Sequence, residues 1–256
     1  MEVNQIREYL EAEEQRAFSG WDFSYLDGRW EGELEPWDYK QIVESYRTPE
    51  MNLLDMGTGD GEFILSLKHP YELTSVTEGY GPNYRLCRDK LTPIGINVCY
   101  VDDDNLLDFP NECFDIVLNR HASFSSSEVQ RVLRSRGFFI TQQVGGENDA
   151  DISRKLISNY QSLYPYHDLK NSLALLKELN FDIINAQESF TPVRFFDLGA
   201  LVYFAKIIEW EFPGFSVNNC FDQLIYLHDE LQQQGYILGT EHRFVIVAQK
   251  RDISNY

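Results

Sequence analysis

The residues with the most chemistry to offer are Asp55 and the glycines at 57, 59 and 61. They sit in Leu53-Leu54-Asp55-Met56-Gly57-Thr58-Gly59-Asp60-Gly61-Glu62-Phe63, where an apolar run reaches an acid and an amphipathic segment follows the last glycine at once. That order predicts a buried strand, a turn too tight for side chains, and a helix N-terminus. Glycine lets backbone approach a ligand closely and adopt torsions that other residues avoid. The Asp55 carboxylate would repel a phosphate and attract an amine or hydroxyl. A G-x-G-x-x-G phosphate fingerprint is absent, because Glu62 stands where its last glycine belongs, and no lysine in the chain precedes Ser or Thr as a P-loop requires. The loop suits a nucleoside ligand that carries positive charge.

Further candidates lie at the ends of later apolar runs. Glu78 follows Gly61 by 17 residues, where a carboxylate can accept both hydroxyl hydrogens of a ribose. Gly79-Tyr80-Gly81-Pro82-Asn83 would leave space beside such a sugar. Asp102-Asp103-Asp104-Asn105-Leu106 is either a solvated turn or a source of acceptors, and no nearby histidine argues for a metal. Asn119-Arg120-His121 ends a strand, and in an open parallel sheet ligands bind outside the carboxyl ends of strands. His121 has the residue type of a general base near neutrality, and equally of a polar wall residue. Gln142-Gln143 is a polar pair in an apolar run, and buried amides need partners from ligand or from backbone. Arg194, Phe195, Asp197, Tyr203 and Trp210 form a late cluster that reads as core or as pocket.

The elements that must position these residues alternate in type. Residues 3–18 read as a charged helix, followed by an irregular aromatic stretch with Phe18, Trp21, Phe23, Tyr25, Trp30, Trp37 and Tyr39, either a staple onto the sheet or a cap. Strands are expected at 52–56, 73–78, 96–101, 114–119, 138–144, 181–188 and 242–249. Helices are expected at about 60–68, after Pro82, at 125–134, at 168–179 and at about 217–234. Arg136-Gly137 reads as a turn, 145–167 as a polar lid, and 189–216 as an insertion before the last strand. Formal charge is −19, which argues against a long nucleic-acid footprint and favours approach of a cation. Cys87, Cys99, Cys113 and Cys220 show no metal or disulfide spacing. The acidic N-terminus and the lack of a bilayer-length apolar run predict a soluble, cytoplasmic protein.

Asp55, Gly57, Gly59 and Gly61 resemble the first motif, [D/E]-x-G-x-G-x-G, of the class I S-adenosylmethionine-dependent methyltransferases. Phe109-Pro110-Asn111-Glu112-Cys113-Phe114-Asp115 is similar to a later run of that family, F-x-x-x-x-F-D. Thr77-Glu78-Gly79-Tyr80, Asn119-Arg120-His121, Thr141-Gln142-Gln143-Val144-Gly145 and the Trp210 insertion resemble a bacterial type-11-like group. The resemblance covers about residues 50–145 and the last strand. It implies an α/β, Rossmann-like, seven-stranded, mostly parallel sheet with a reversed last strand. It also implies an N-terminal helical and aromatic cap (1–50) on a catalytic domain (51–256).

The implied cofactor is S-adenosyl-L-methionine, held by Asp55, Gly57, Thr58, Gly59, Gly61, Glu78, Gly79, Tyr80, Asp103, Asp104 and Asn119, with cap contacts from Trp37 and Tyr39. His121 is the candidate catalytic base; Arg120, Gln142, Arg194 and Trp210 are candidate substrate residues, and no metal is expected. The implied reaction is in-line methyl transfer to a small-molecule acceptor. An rRNA or tRNA methyltransferase, a non-catalytic cofactor-binding module and a dinucleotide oxidoreductase remain as alternatives.

Overall fold

The computed structural model describes residues 2–18, 22–102 and 106–252. In chain order these form α1 (Val3–Glu14), β1 (Trp30–Gly32), α2 (Tyr39–Tyr46), β2 (Leu53–Met56), α3 (Glu62–Ser66), β3 (Thr74–Glu78), α4 (Gly81–Leu91) and β4 (Asn97–Tyr100). There follow β5 (Phe114–Arg120), α5 (Ser126–Val132), β6 (Leu133–Val144), α6 (Ala150–Leu156), α7 (Leu169–Glu178), β7 (Phe181–Phe195), α8 (Leu198–Ile207), α9 (Phe221–Gln234) and β8 (Ile237–Lys250). The chain divides into two compact units, one of residues 36–143, 168–188 and 244 onward, the other of residues up to 35, 144–167 and 189–243. The long strands β7 and β8 contribute to both.

The first unit holds the sheet order β7-β8-β6-β5-β2-β3-β4. Strand β2 pairs in parallel with β3 on one side and β5 on the other, and β3 with β4 and β5 with β6 are also parallel. Every residue of β2 is buried, as expected of a central strand covered on both faces. One layer of its core gathers Leu53, Val76, Leu118 and Ile140, the other Leu54, Met56, Val117 and Phe139. Local chemistry starts the helices. Pro82 lies in the first turn of α4. Asp168 Oδ1 accepts from the Asn171 N–H at 2.7 Å ahead of α7.

Three expectations need correction. Arg136 and Gly137 do not turn the chain; they lie inside β6, where Arg136 has φ +66° and the register against β5 shifts between Phe114 and Ile116. The punctuation marked a bulge, and a Cβ on Gly137 would sit 2.9 Å from the Arg134 carbonyl oxygen. The supposed insertion at 189–216 begins as strand, since β7 runs on to Phe195 and pairs antiparallel with β1 (Trp30↔Phe195, Gly32↔Val193). That pairing makes eight strands among the described residues where seven were expected, because a three-residue edge strand is too short to show alternation. Contacts along β8 descend as those along β6 ascend. Lys250 Nζ reaches Leu133 O and Gln249 Nε2 reaches Arg136 O in the first unit, while Gly145 N reaches His242 O and Asp149 N reaches Thr240 O in the second.

The second unit is built around α8, whose residues Leu198 to Ala205 are all buried, so its apolar surface is covered on every side. Helices α1 and α9 pack on it. Much of the aromatic stretch becomes core here: Tyr25 meets Tyr203 at 4.8 Å, and Trp30 meets Phe204 at 5.4 Å and Phe195 at 5.9 Å between ring centroids. Asp197 caps α8 through the Ala200 N–H (2.8 Å) and pairs with Arg29 Nη2 (2.6 Å). Cys87 and Cys220 are buried and Cys99 and Cys113 partly so. Among the described residues no helix is long and apolar enough to cross a membrane.

A pair of buried acids also belongs to this unit. Asn148 Nδ2 donates to Asp149 Oδ2 and to Glu211 Oε2, each at 2.8 Å, and its own Oδ1 accepts from Arg243. Asp149 is 1% exposed, adopts φ +50°, and its Oδ1 has no donor. Burial, then the charges of Glu211 and Glu241, push Asp149 well above the carboxylate range, and burial pushes Glu211 up to about 7. Arg243 opposes both shifts. Both carboxyls are thus held toward their neutral forms, burial being the largest cause in each.

Because the folded protein holds the Glu211 proton more tightly than the unfolded chain does, stability falls as pH rises from the ordinary value near 4.5 to about 7. The slope approaches about 1 kcal/mol per pH unit where one proton is lost. Glu211→Gln removes that titration while keeping an amide oxygen to accept from Asn148. Thermal unfolding from pH 5 to 8 should show a flatter profile for the variant. At pH 8 its Tm should rise by roughly 2–4 °C for each kcal/mol regained.

Candidate functional site

The glycine turn at the end of β2 is held by two bonds to a single oxygen: the N–H groups of Gly57 and Thr58 both donate to Thr77 O at 3.0 Å. Gly57, Gly59 and Gly61 have φ of +68°, +64° and +78°, the left-handed region that an L side chain disfavours. Their surroundings differ. A Cβ on Gly57 would lie 2.3 Å from Ala122 Cβ, and one on Gly61 would lie 2.9 Å from Leu91 Cδ1. A Cβ on Gly59 would meet nothing within 4 Å. The outer glycines are thus required by packing as well as torsion, and the middle one faces open space.

Two buried carboxylates flank the turn. Asp55 is 3% exposed and accepts from Thr58 Oγ1 at 2.7 Å. Burial pushes its carboxyl up to about 6; the Thr58 hydrogen bond and the Arg120 charge pull it back, and Glu78 adds to the rise. Glu78 receives the Gly59 N–H on Oε2 and the Tyr80 N–H on Oε1, both at 2.8 Å, tying the turn to the start of α4. Gly79 is closed in, since its Cβ would meet Val101 O at 2.7 Å, whereas Tyr80 is largely exposed. The Cys87 thiol donates to Gly59 O at 2.8 Å, and burial, then Glu78, push that thiol up to about 12.

At the ends of β5 and β6 the buried amides largely satisfy one another. Asn119 is fully buried; its Oδ1 accepts from Thr141 Oγ1 at 3.1 Å and from Gln143 Nε2. The backbone oxygens of Asn119 and Ile140 both face the Tyr39 hydroxyl, at 3.1 and 3.0 Å. Burial drives the Tyr39 phenol far above its usual range, so it is a donor at all working pH values. Arg120 is exposed, with its guanidinium 4.8 Å from the Phe63 ring centroid. His121 has φ +58°, and its N–H donates to Gln142 O at 2.8 Å. The Gln142 side chain accepts from Trp37 Nε1 at 2.8 Å and lies 2.9 Å from His121 Nε2.

One unit therefore contains Asp55, Gly57, Thr58, Gly59, Gly61, Glu78, Gly79, Tyr80, Asn119, Arg120, His121, Gln142, Trp37 and Tyr39. Asp103 and Asp104, expected at an adenine, lie outside the described residues, as does Trp21. Arg194 and Trp210 belong to the other unit, where Arg194 Nη2 lies 3.4 Å from Glu33 and the guanidinium 5.7 Å from the Tyr236 centroid. Trp210 is partly exposed there. Sequence reasoning missed Phe63 as the seat of Arg120, Cys87 as a partner of the glycine turn, and Gln143 as the partner of Asn119. No spacing signals them, because each partner comes from a different strand or helix.

No family model matches the chain, and no curated protein matches it. Solved structures do match its fold. A candidate methyltransferase from Bacillus halodurans is 17% identical, with a TM-score of 0.57 over 84% of this chain and 99% of that one. The YcgJ protein of Bacillus subtilis is 19% identical, with a TM-score of 0.55 over 84% and 98%. The [4+2]-cyclase SpnF is 14% identical, with a TM-score of 0.52 over 83% and 80%. The chain thus shares a mixed α/β fold with these proteins, and the name of the third is a reminder that one scaffold serves different reactions.

The three glycines should respond differently to a methyl group. Gly57→Ala combines strained torsion with the clash on Ala122 and should cost about 2–4 kcal/mol in urea unfolding. Gly59→Ala meets only the torsional cost, about 1–2 kcal/mol, while filling the space a ligand would occupy.

Proposed function

We propose that this protein is an S-adenosyl-L-methionine-dependent methyltransferase acting on a small-molecule acceptor. The observation that carries this reading is the open approach to Gly59 between two buried carboxylates, Asp55 and Glu78. That donor and acceptor set fits a cationic nucleoside and opposes a dinucleotide, whose phosphates would meet Asp55. Supporting the reading, the fold is shared with the Bacillus halodurans candidate methyltransferase and with a candidate sarcosine dimethylglycine methyltransferase from Galdieria sulphuraria (14% identity, TM-score 0.51, 84% of each chain).

In this proposal Asp55 and the turn at 57–61 hold the amino-acid half of the cofactor, with Thr58 orienting the Asp55 carboxylate. Glu78 takes the ribose: each oxygen accepts one backbone N–H and keeps acceptor capacity for a hydroxyl. Asp103 and Asp104 are assigned to the adenine on the resemblance alone. Tyr39 acts by bracing the ends of β5 and β6, since its hydroxyl is already committed to two carbonyls. When bound, the cofactor supplies a methyl group on a sulfonium, open to in-line displacement by a nucleophile of the acceptor. The protein's part is alignment and exclusion of water. The charge of −19 favours a cationic cofactor and offers little for a polyanionic acceptor.

Calorimetry on the purified protein should give binding of S-adenosylmethionine and S-adenosylhomocysteine and none of NADH. Asp55→Ala and Glu78→Ala should each weaken binding at least tenfold, about 1.4 kcal/mol. Affinity should decline as pH falls through about 6, where Asp55 takes up a proton and loses its charge, and this decline should vanish in Asp55→Asn. A folded protein that binds neither sulfur nucleoside would end the proposal.

A further inference from the structure

The side chains of Trp37, Gln142 and His121 form a chain whose direction can be worked out atom by atom. An indole N–H donates and never accepts, so the Gln142 atom 2.8 Å from Trp37 Nε1 is the amide oxygen. The other end of that amide is an NH2 group, which only donates, and it lies 2.9 Å from His121 Nε2. His121 Nε2 must then offer a lone pair. We infer that Gln142 is a positioning residue that fixes His121 as the neutral imidazole with its proton on Nδ1 and its Nε2 lone pair committed to the amide.

The surrounding backbone holds this arrangement in place. The His121 N–H donates to the carbonyl of the same Gln142 at 2.8 Å, and φ +58° at His121 sets the ring's exit from the strand end. A proton on Nε2 would face the NH2 group donor to donor. Turning the amide over to relieve that contact would place NH2 against the Trp37 indole N–H instead. Trp37 therefore determines the tautomer of the His121 ring by way of the Gln142 amide. For the proposed methyl transfer, and resting on that reading, Nε2 takes no proton from an acceptor while Gln142 is in place. In this proposal His121 takes the part of a polar wall residue, the alternative to a general base.

The test uses the full chain without cofactor, so its outcome is separate from whether the protein transfers methyl groups. Two-bond 1H–15N correlation spectra of 15N-labelled protein report which ring nitrogen of each histidine carries the proton; with five histidines, His121→Gln assigns the signal. The wild type should show protonated Nδ1 and bare Nε2. Gln142→Glu offers oxygens to both neighbours and should bring a proton onto Nε2. Trp37→Phe removes the anchor of the amide and should populate the Nε2–H form, and it serves should Gln142→Glu fail to fold. A merely structural glutamine would leave the tautomer unmoved by Trp37→Phe. An Nε2–H ring in the wild type, or an unchanged tautomer in the folded variants, would overturn the inference.

Discussion

The close approach of the turn at 57–61 to its neighbours is the constraint on which the site depends. Ala122 stands where a side chain on Gly57 would be, and Leu91 stands where one on Gly61 would be. The turn lies this low because both of its first amides reach Thr77 O in the adjacent strand. A chain that folds back so tightly leaves Asp55 behind it, out of water, and leaves Gly59 in front, open. The same packing that rules out side chains at 57 and 61 thus leaves open space at Gly59, backed by a buried acid. The raised proton affinity of Asp55 follows from that burial, moderated by Thr58 and Arg120.

Hydrogen-bond accounting explains the polar residues around the turn. An unpaired amide in the sheet costs about 1–3 kcal/mol, so buried amides are found in sets that close on themselves. Asn119, Thr141 and Gln143 form one such set, and Trp37, Gln142 and His121 another. In both, glutamines that might have served a ligand instead hold neighbouring groups in one orientation. Glu78 does the same for the turn and α4 while keeping acceptor capacity to spare.

The second unit solves its polar problem in a different way. Where the amides share donors, Asp149 and Glu211 are pushed toward their neutral forms by burial, with Glu241 adding to the rise and Arg243 opposing it. In a chain of net charge −19, keeping a buried acid neutral is less costly than burying a further unpaired negative charge.

By itself the sequence determined the order of the elements in the parallel sheet and the nature of the glycine turn. Both are local: an apolar run, an acid, and glycines at alternate positions constrain backbone within a few residues. Pro82 and Asp168 marked helix starts for the same reason. The extent of β7, the added strand β1 and the bulge at Arg136 were decided by pairing between distant segments, which no local pattern records. The site divides along the same line. Asp55, the glycines and Glu78 were legible from residue type and spacing, whereas the seat of Arg120 on Phe63 and the direction of the Trp37–Gln142–His121 chain were not. Each of those depends on three-dimensional proximity and on which atom of an amide faces which neighbour. That choice is made only when strands far apart in sequence are brought side by side.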